Sequence, residues 1–454
     1  MLEKLFKLKQ NHTTVRKEVT AGIITFMTMA YILAVNPGIL SAAGMDPTAV
    51  LLATALASFI ANAVMALTAN LPFALSAGMG LNAYLAFTVC GNMGYSWQVA
   101  LLAVFVEGLI FIVLSLSGAR EAIFYSIPRS MQLGVSVGIG LFIALIGLQN
   151  AGLVVGNPAT MLSLTKFNEN FSSKGIGAVL CIVGVLITAF LYIKKVQGAM
   201  LIGILATWLL GILCQVTGIY VPNPELGAYS LIPSMHGVEF GKLKETFGQC
   251  FTADLSQVRP GDFLIVIFSF LFVDIFDTLG TLIGVTTKAH MLDENGKMKG
   301  MKPALLADAV GTSVGAVLGT STVTTFVESA AGIGAGGRTG LTTMVTGILF
   351  LLSMFLAPIF TTIPPFATAP ALIVVGFLIF GGVRELNLEE GDMTETLPAY
   401  LTILGMPMFY SISDGIAIGV ISYVALHLVT GKAKKVAPLM YVLAVLFILN
   451  YIFL

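Results

Sequence analysis

Apolar runs of about 20 residues, long enough to cross a bilayer as helices, recur along the whole chain and leave charge mainly in the short spacers between them. Inside hydrocarbon every backbone N–H and C=O needs a partner from the protein, so runs of this length can be accommodated only as helices. The runs begin near Ala21, Val50, Phe73, Gln98, Ser130, Gly175 and Met200, and a polar stretch from Gly218 to Pro260 interrupts them. A second series begins near Asp262, Pro303, Val323, Leu341, Ala367, Glu395 and Asp414, and a further apolar segment, Ala437 to Leu454, closes the chain. The expected fold is an all-α polytopic membrane protein of about fourteen spans. Only 10% of residues are charged, against roughly 25% in soluble domains, which leaves no soluble domain of useful size. A net charge of zero is uninformative here, because in a membrane protein the placement of charge matters more than its sum.

Placement is informative. With a cytoplasmic N-terminus and one crossing per segment, every Lys and Arg except Lys166, Lys174, Lys242, Lys244 and Arg259 falls on the inside, as the positive-inside rule requires. Arg120 and Arg129 are placed in an inner spacer by this count. Residues 1–18 form a retained cytoplasmic arm, expected to lie on the membrane with Leu2, Leu5, Phe6 and Leu8 inward. Cys90, Cys181, Cys214 and Cys250 lack CxxC spacing and imply neither a disulfide framework nor a metal site.

Seven spans precede the polar interruption, so the second series starts inverted relative to the first. The fifth spans of the two series, "IPRSMQLGVSVGIGLFIALIG" and "IPPFATAPALIVVGFLIFGG", share an Ile-Pro start and a Gly-rich apolar end. The third spans, "LPFALSAGMGLNAY" and "STVTTFVESAAGIGAGGRTG", are both rich in Gly and hydroxyl residues and poor as continuous helices. Interrupted segments at matching positions of inverted halves point to a transporter binding site. "STVTTFV" suits a short extended piece, which must line a cavity or be buried in protein. "GIGAGGRTG" has no preceding βα context, so it reads as close packing of a half-helix and not as a phosphate loop.

Carboxylates within spans cost at least about 2.5 kcal/mol each on insertion scales and therefore mark cavities, partners or both. Glu107, Asp274, Asp277, Asp308 and Glu328 are such acids. Asp274 and Asp277 are three apart and share a helix face. Glu107 and Asp308 stand alone, and a structural role is at least as good a reading for each. Asn82 is the matching polar group of the first half, with an interhelical hydrogen bond as the alternative reading.

The stretches "TFMTMAYILAVNP", "AGMGLNAYLAF", "VDIFDTLGTLIGV" and "ESAAGIGAGGRTGLT" resemble the signatures of the adenine/guanine/hypoxanthine permease branch of the nucleobase:cation symporter-2 family, over nearly the entire chain. The resemblance implies a 7+7 inverted repeat with short strands in spans 3 and 10. It also implies a core domain over residues 19–120 and 262–360 and a gate domain over 121–218 and 361–431. An extracellular loop at 219–261 and a hydrophobic segment at 432–454 complete the division. Carried over by position, it makes Asp274 and Glu328 the acids that hold the base, and Asn82 and Asp277 polar positions needed for transport. The amide-Asn-x-Gly pattern of the xanthine, urate and uracil branch is replaced by Glu328-Ser329-Ala330-Ala331-Gly332, which favours salvageable purines.

The expected site follows. Glu328 accepts hydrogen bonds from the pyrimidine-ring edge of a purine and Asp274 from the imidazole edge. Backbone amides around Ala77, Gly78 and Gly80 and from Phe326 to Glu328 complete the contacts, and Phe73 or Phe326 stacks on the base. Asp277 is the candidate proton site, with Asp274 the alternative; sodium stays open as coupling ion through hydroxyls near Thr278 and Thr281. No cofactor and no nucleic acid are expected, the partners being the base, the lipid of a plasma (inner) membrane and, by resemblance, a second copy in a homodimer. The rivals are an anion transporter, for which Arg338 is the only nearby cation, and an intramembrane aspartyl enzyme, whose GxGD stretch is absent.

Overall fold

In the computed structural model, residues 2–120, 126–233, 237–256, 258–288, 291, 298, 300–386 and 392–453 are described. The chain is a helical bundle. After a short α1 (Leu2–Phe6), the first span is α2 (Val15–Met29) continued by α3 (Ile32–Ser41), and the second is α4 (Pro47–Val64). The third segment is not one helix: strand β1 (Leu75–Ala77) leads into α5 (Met79–Ala83). Helices α6 (Trp97–Ser117) and α7 (Arg129–Asn150) follow, then an exposed hairpin of β2 (Val154–Asn157) and β3 (Met161–Leu164), then α8 (Ile176–Ile193) and α9 (Ala199–Val216). The second series runs through α10 (Pro260–Lys288), α11 (Met301–Leu318), strand β4 (Val323–Thr325), α12 (Ser329–Gly334) and α13 (Gly340–Ser353). It ends with α14 (Pro365–Phe380), α15 (Met393–Phe409), α16 (Ile412–Val429) and α17 (Pro438–Phe453).

Ten helices among the described residues are long and apolar enough to cross a membrane. This is fewer than the fourteen expected segments, in part because the third and tenth are each a three-residue strand with a short helix. Packing divides the helices into two groups. In one, α2 and α4 lie on α13, while α6 and α4 lie on α11; in the other, α7 lies on α14 and α15, and α8 and α9 pack together and on α14. The expected core–gate boundary at 120/121 adjoins residues 121–125, outside the described set.

Glycines set how closely these helices approach. The two fifth spans, α7 and α14, cross with a Cβ on Gly140 only 2.9 Å from the Gly376 carbonyl oxygen and one on Gly376 only 2.5 Å from that of Gly140. The "GIGAGGRTG" stretch likewise packs tightly, since a Cβ on Gly332 would fall 2.0 Å from Thr25 Oγ1. The N-terminal arm departs from expectation. Phe6 and Leu8 are buried against Ala66 and Leu341, and only Leu2 and Leu5 face outward. Its first helix is too short to present a continuous apolar face, and Asn70 Nδ2 donates to the Phe6 carbonyl and ties the arm to the protein.

Candidate functional site

Strands β1 and β4 pair antiparallel, with Leu75 opposite Thr325, Ser76 opposite Thr324 and Ala77 opposite Val323. A two-stranded ribbon is marginal by itself, and within a membrane its outer edges need partners. Helices on either side supply them. Asn62 of α4 donates Nδ2 to the Leu75 carbonyl at 2.8 Å and accepts from the Leu75 N–H at 3.0 Å, while Thr312 of α11 donates its hydroxyl to the Val323 carbonyl at 3.1 Å. The ribbon extends by one bond at each end: Gly78 N–H donates to Thr322 and Phe326 N–H to Ala74, both at 2.9 Å. These two amides, expected to face a ligand, are therefore consumed by strand pairing.

Two carboxylates converge beside this ribbon. Asp277 of α10 accepts from the Thr324 hydroxyl at 3.1 Å, and a Cβ on Gly78 would lie 3.4 Å from the same carboxylate oxygen. Glu328, immediately before α12, accepts from the Tyr31 hydroxyl at 2.8 Å. Asp277 lies within electrostatic reach of both Glu328 and Tyr31. The neighbouring expected residues are engaged elsewhere. Phe73 and Phe326 are buried in the apolar core, Ala77 is fully buried in β1, and a Cβ on Gly80 would meet Ile139 of α7 at 2.9 Å. Asn82 donates to Asn36 Oδ1 at 2.5 Å, and Asn36 in turn donates to Thr54 at 2.7 Å and Thr320 at 3.0 Å. That arrangement is an interhelical network, the alternative reading of Asn82.

Asp274 is not beside Glu328. Its carboxylate turns to Arg120, whose Nη2 stands 3.1 Å from Asp274 Oδ2 and 2.7 Å from Asp308 Oδ2, all three side chains being wholly buried. Thr278 Oγ1 lies between the other two oxygens, 3.0 Å from Asp274 Oδ1 and 2.8 Å from Asp308 Oδ1. Arg120 also donates to the Leu305 carbonyl at 3.2 Å, and its guanidinium carbon sits 3.8 Å from the Phe111 ring centre. The placement of Arg120 in a solvated inner spacer is thus corrected. Gly118, at φ 76°, ends α6 in the left-handed conformation, and the chain turns so that Arg120 enters the interior. Glu107 completes the cluster, accepting from the Thr322 hydroxyl at 2.9 Å within the field of Asp274, Arg120 and Asp308. The lone acids Glu107 and Asp308 therefore belong to one buried assembly.

Tyr31 and Arg120 escaped sequence reasoning. Tyr31 lies inside the "TFMTMAYILAVNP" stretch, which marked the family without marking this hydroxyl, and a lone Arg at a span end reads as an orientation signal. Arg338 is engaged by other partners: its guanidinium donates to the Ile333 and Gly337 carbonyls, both at 2.7 Å, and its backbone N–H donates to the buried Glu18. Among the described residues no group of His, Cys, Asp and Glu could hold a metal ion, and all four cysteines are unpaired.

Known proteins resemble this chain along its whole length. Adenine permease AdeP of Escherichia coli (strain K12) is 41% identical over 453 residues, covering 100% of this chain and 96% of its own. Guanine/hypoxanthine permease PbuG of Bacillus subtilis (strain 168) is 42% identical over 462 residues and is covered completely, as is this chain. The solved transmembrane domain of the cyanobacterium bicarbonate transporter BicA superposes with a TM-score of 0.63 over 89% of this chain and 97% of that one, at 16% identity, a likeness of fold alone. A family model described as Permease family matches residues 16–449. The chain is a membrane transporter and not an enzyme, and it belongs to this permease family, in the purine permease branch of nucleobase:cation symporter-2.

Proposed function

We propose that the chain imports purine nucleobases, guanine and hypoxanthine ahead of adenine, together with protons, across a plasma membrane. The observation that carries this reading is the convergence of Asp277 and Glu328 on the β1–β4 ribbon, in a chain whose relatives are named as adenine and guanine/hypoxanthine permeases. Tyr31 donates its hydroxyl to Glu328 Oε1 at 2.8 Å and so orients the carboxylate. A carboxylate so oriented can accept from N1–H and the exocyclic amine of guanine, or from N1–H of hypoxanthine. Adenine presents a lone pair at N1, which faces a carboxylate unfavourably. Asp277 takes the imidazole edge, the role that position alone had given to Asp274. Asp274, fixed by Arg120, belongs instead to the proton-coupling assembly.

Alternating access moves the group containing α2, α4, α6, α10, α11 and α13 against the group containing α7, α8, α9 and α14 to α16, around a base held at the ribbon. The close approach of Gly80 to Ile139 of α7, which a Cβ would meet at 2.9 Å, supports a sliding surface beside the substrate segment. Pairing of two copies into a homodimer belongs to the same reading. Uptake of labelled hypoxanthine, with surface expression verified, tests the assignment. Glu328→Ala should abolish it, unlabelled guanine should compete better than adenine, and dependence on a pH gradient without sodium should identify the coupling ion. Undiminished uptake by Glu328→Ala would overturn the site, and an absolute sodium requirement would overturn proton coupling.

A further inference from the structure

We infer that Glu107 is the group that takes up and gives up the coupling proton. The inference rests on the reading of the chain as a proton-coupled carrier and adds the residue that carries the proton. Among the described residues Glu107, Asp274 and Asp308 surround one cation, Arg120, and all four side chains are completely buried. With every carboxyl ionised the assembly holds two negative charges in excess, so neutrality in this conformation requires two protons.

The hydrogen bonds assign them. The single hydroxyl hydrogen of Thr278 can serve only one of the two oxygens that flank it, Asp274 Oδ1 and Asp308 Oδ1. A proton on the other carboxyl, donated to Thr278 Oγ1, would make the second contact a hydrogen bond as well, and in this proposal one proton is given to the aspartate pair. That pair is held on its far side by Arg120 Nη2. It is a fixed element.

The second proton falls to Glu107, whose setting differs. Its Oε2 accepts from Thr322, but its Oε1 is buried and has no hydrogen-bond partner among the described residues. An ionised carboxylate with one oxygen unpaired would bear the full desolvation cost there, whereas a carboxylic acid does not. The groups facing it are Arg120 beyond the end of α6, Asp274 from α10, Asp308 from α11 and the Thr322 hydroxyl ahead of β4. Thr322 also accepts the Gly78 N–H through its carbonyl, so the residue bonded to Glu107 is a rung of the ribbon beside Asp277. Repositioning of the ribbon as the base binds or leaves shifts Thr322, and with it the partner that stabilises the Glu107 carboxylate. A proton enters the carboxylate from the outer side when the site opens outward and leaves as H⁺ when it opens inward.

The test uses purified protein in liposomes, with the membrane potential clamped and the outside one pH unit more acidic. One proton per base corresponds to about 1.4 kcal/mol per pH unit, or roughly tenfold accumulation. Wild type should accumulate labelled hypoxanthine about tenfold, and Glu107→Gln should reach a ratio near one while still exchanging labelled for unlabelled base above protein-free vesicles. Tenfold accumulation by Glu107→Gln overturns the inference and leaves the transport reading standing. Wild-type protein that exchanges no purine overturns both. Should Glu107→Gln lose exchange as well, Glu107→Asp decides: gradient-driven accumulation by that variant supports a titrating carboxyl, and its failure to accumulate overturns one.

Discussion

Replacing Arg120 by leucine isolates the most heavily committed buried charge in the protein. Its guanidinium touches Asp308 at 2.7 Å, Asp274 at 3.1 Å and the Leu305 carbonyl at 3.2 Å, with no exposure of any of the three side chains. Leucine keeps much of the apolar contact with Phe111 but removes the only cation of the group among the described residues. Breaking a buried pair by deleting one partner costs about 3–5 kcal/mol, because the remaining charge is left in a low dielectric. We expect Arg120→Leu to lower the thermal unfolding midpoint in detergent sharply. Arg120→Leu/Asp308→Asn, which also removes one of the stranded carboxylates, should recover part of the loss, with a coupling of about 0.5–3 kcal/mol between the two positions. A single variant as stable as wild type, or strictly additive effects, would refute the buried ion assembly.

Three further outcomes follow from individual contacts. Tyr31→Phe removes the hydroxyl that orients Glu328, and loss of a hydrogen bond to a charged group, about 1.5–3 kcal/mol, should raise the KM for hypoxanthine roughly tenfold or more with expression unchanged. Gly78→Ala places a methyl 3.0 Å from Thr324 Oγ1 and 3.4 Å from Asp277 Oδ2, so uptake should fall while the protein still reaches the membrane; wild-type uptake would contradict the placement of Asp277. Asp46 caps α4 by accepting from Thr48 and Ala49 and pairs with Lys242 at 2.9 Å. Burial opposes ionisation of Asp46, but the Lys242 hydrogen bond and those two amides outweigh it and hold the carboxyl below its ordinary value, so its contribution is present above about pH 4 and lost as pH falls further. Asp46→Ala should cost about 0.5–2 kcal/mol at neutral pH and progressively less as the pH falls below about 4, read as unfolding midpoints across that range.

The helical membrane architecture was legible because hydrocarbon dictates it: long apolar runs and buried acids leave few other folds. The two broken segments were visible in their Gly and β-branched residues. The partners that make broken backbone tolerable there, Asn62 and Thr312, were not visible, since a single polar residue in an apolar helix does not declare what it faces. The helical spacing of Asp274 and Asp277 placed them on one side of α10 but could not separate their targets. That separation depends on Arg120, which is distant in sequence and resembles a membrane-edge cation. Glu107 and Asp308 looked solitary for the same reason, their company being supplied by chain segments far apart.

A structure of the protein with guanine bound distinguishes Asp277 from Asp274 as the second carboxylate on the base. The base is expected at the β1–β4 ribbon, with its pyrimidine edge at hydrogen-bond distance from Glu328 and its imidazole edge at hydrogen-bond distance from Asp277, while Asp274 remains paired with Arg120. Guanine seated against Asp274, or away from both Asp277 and Glu328, would contradict it.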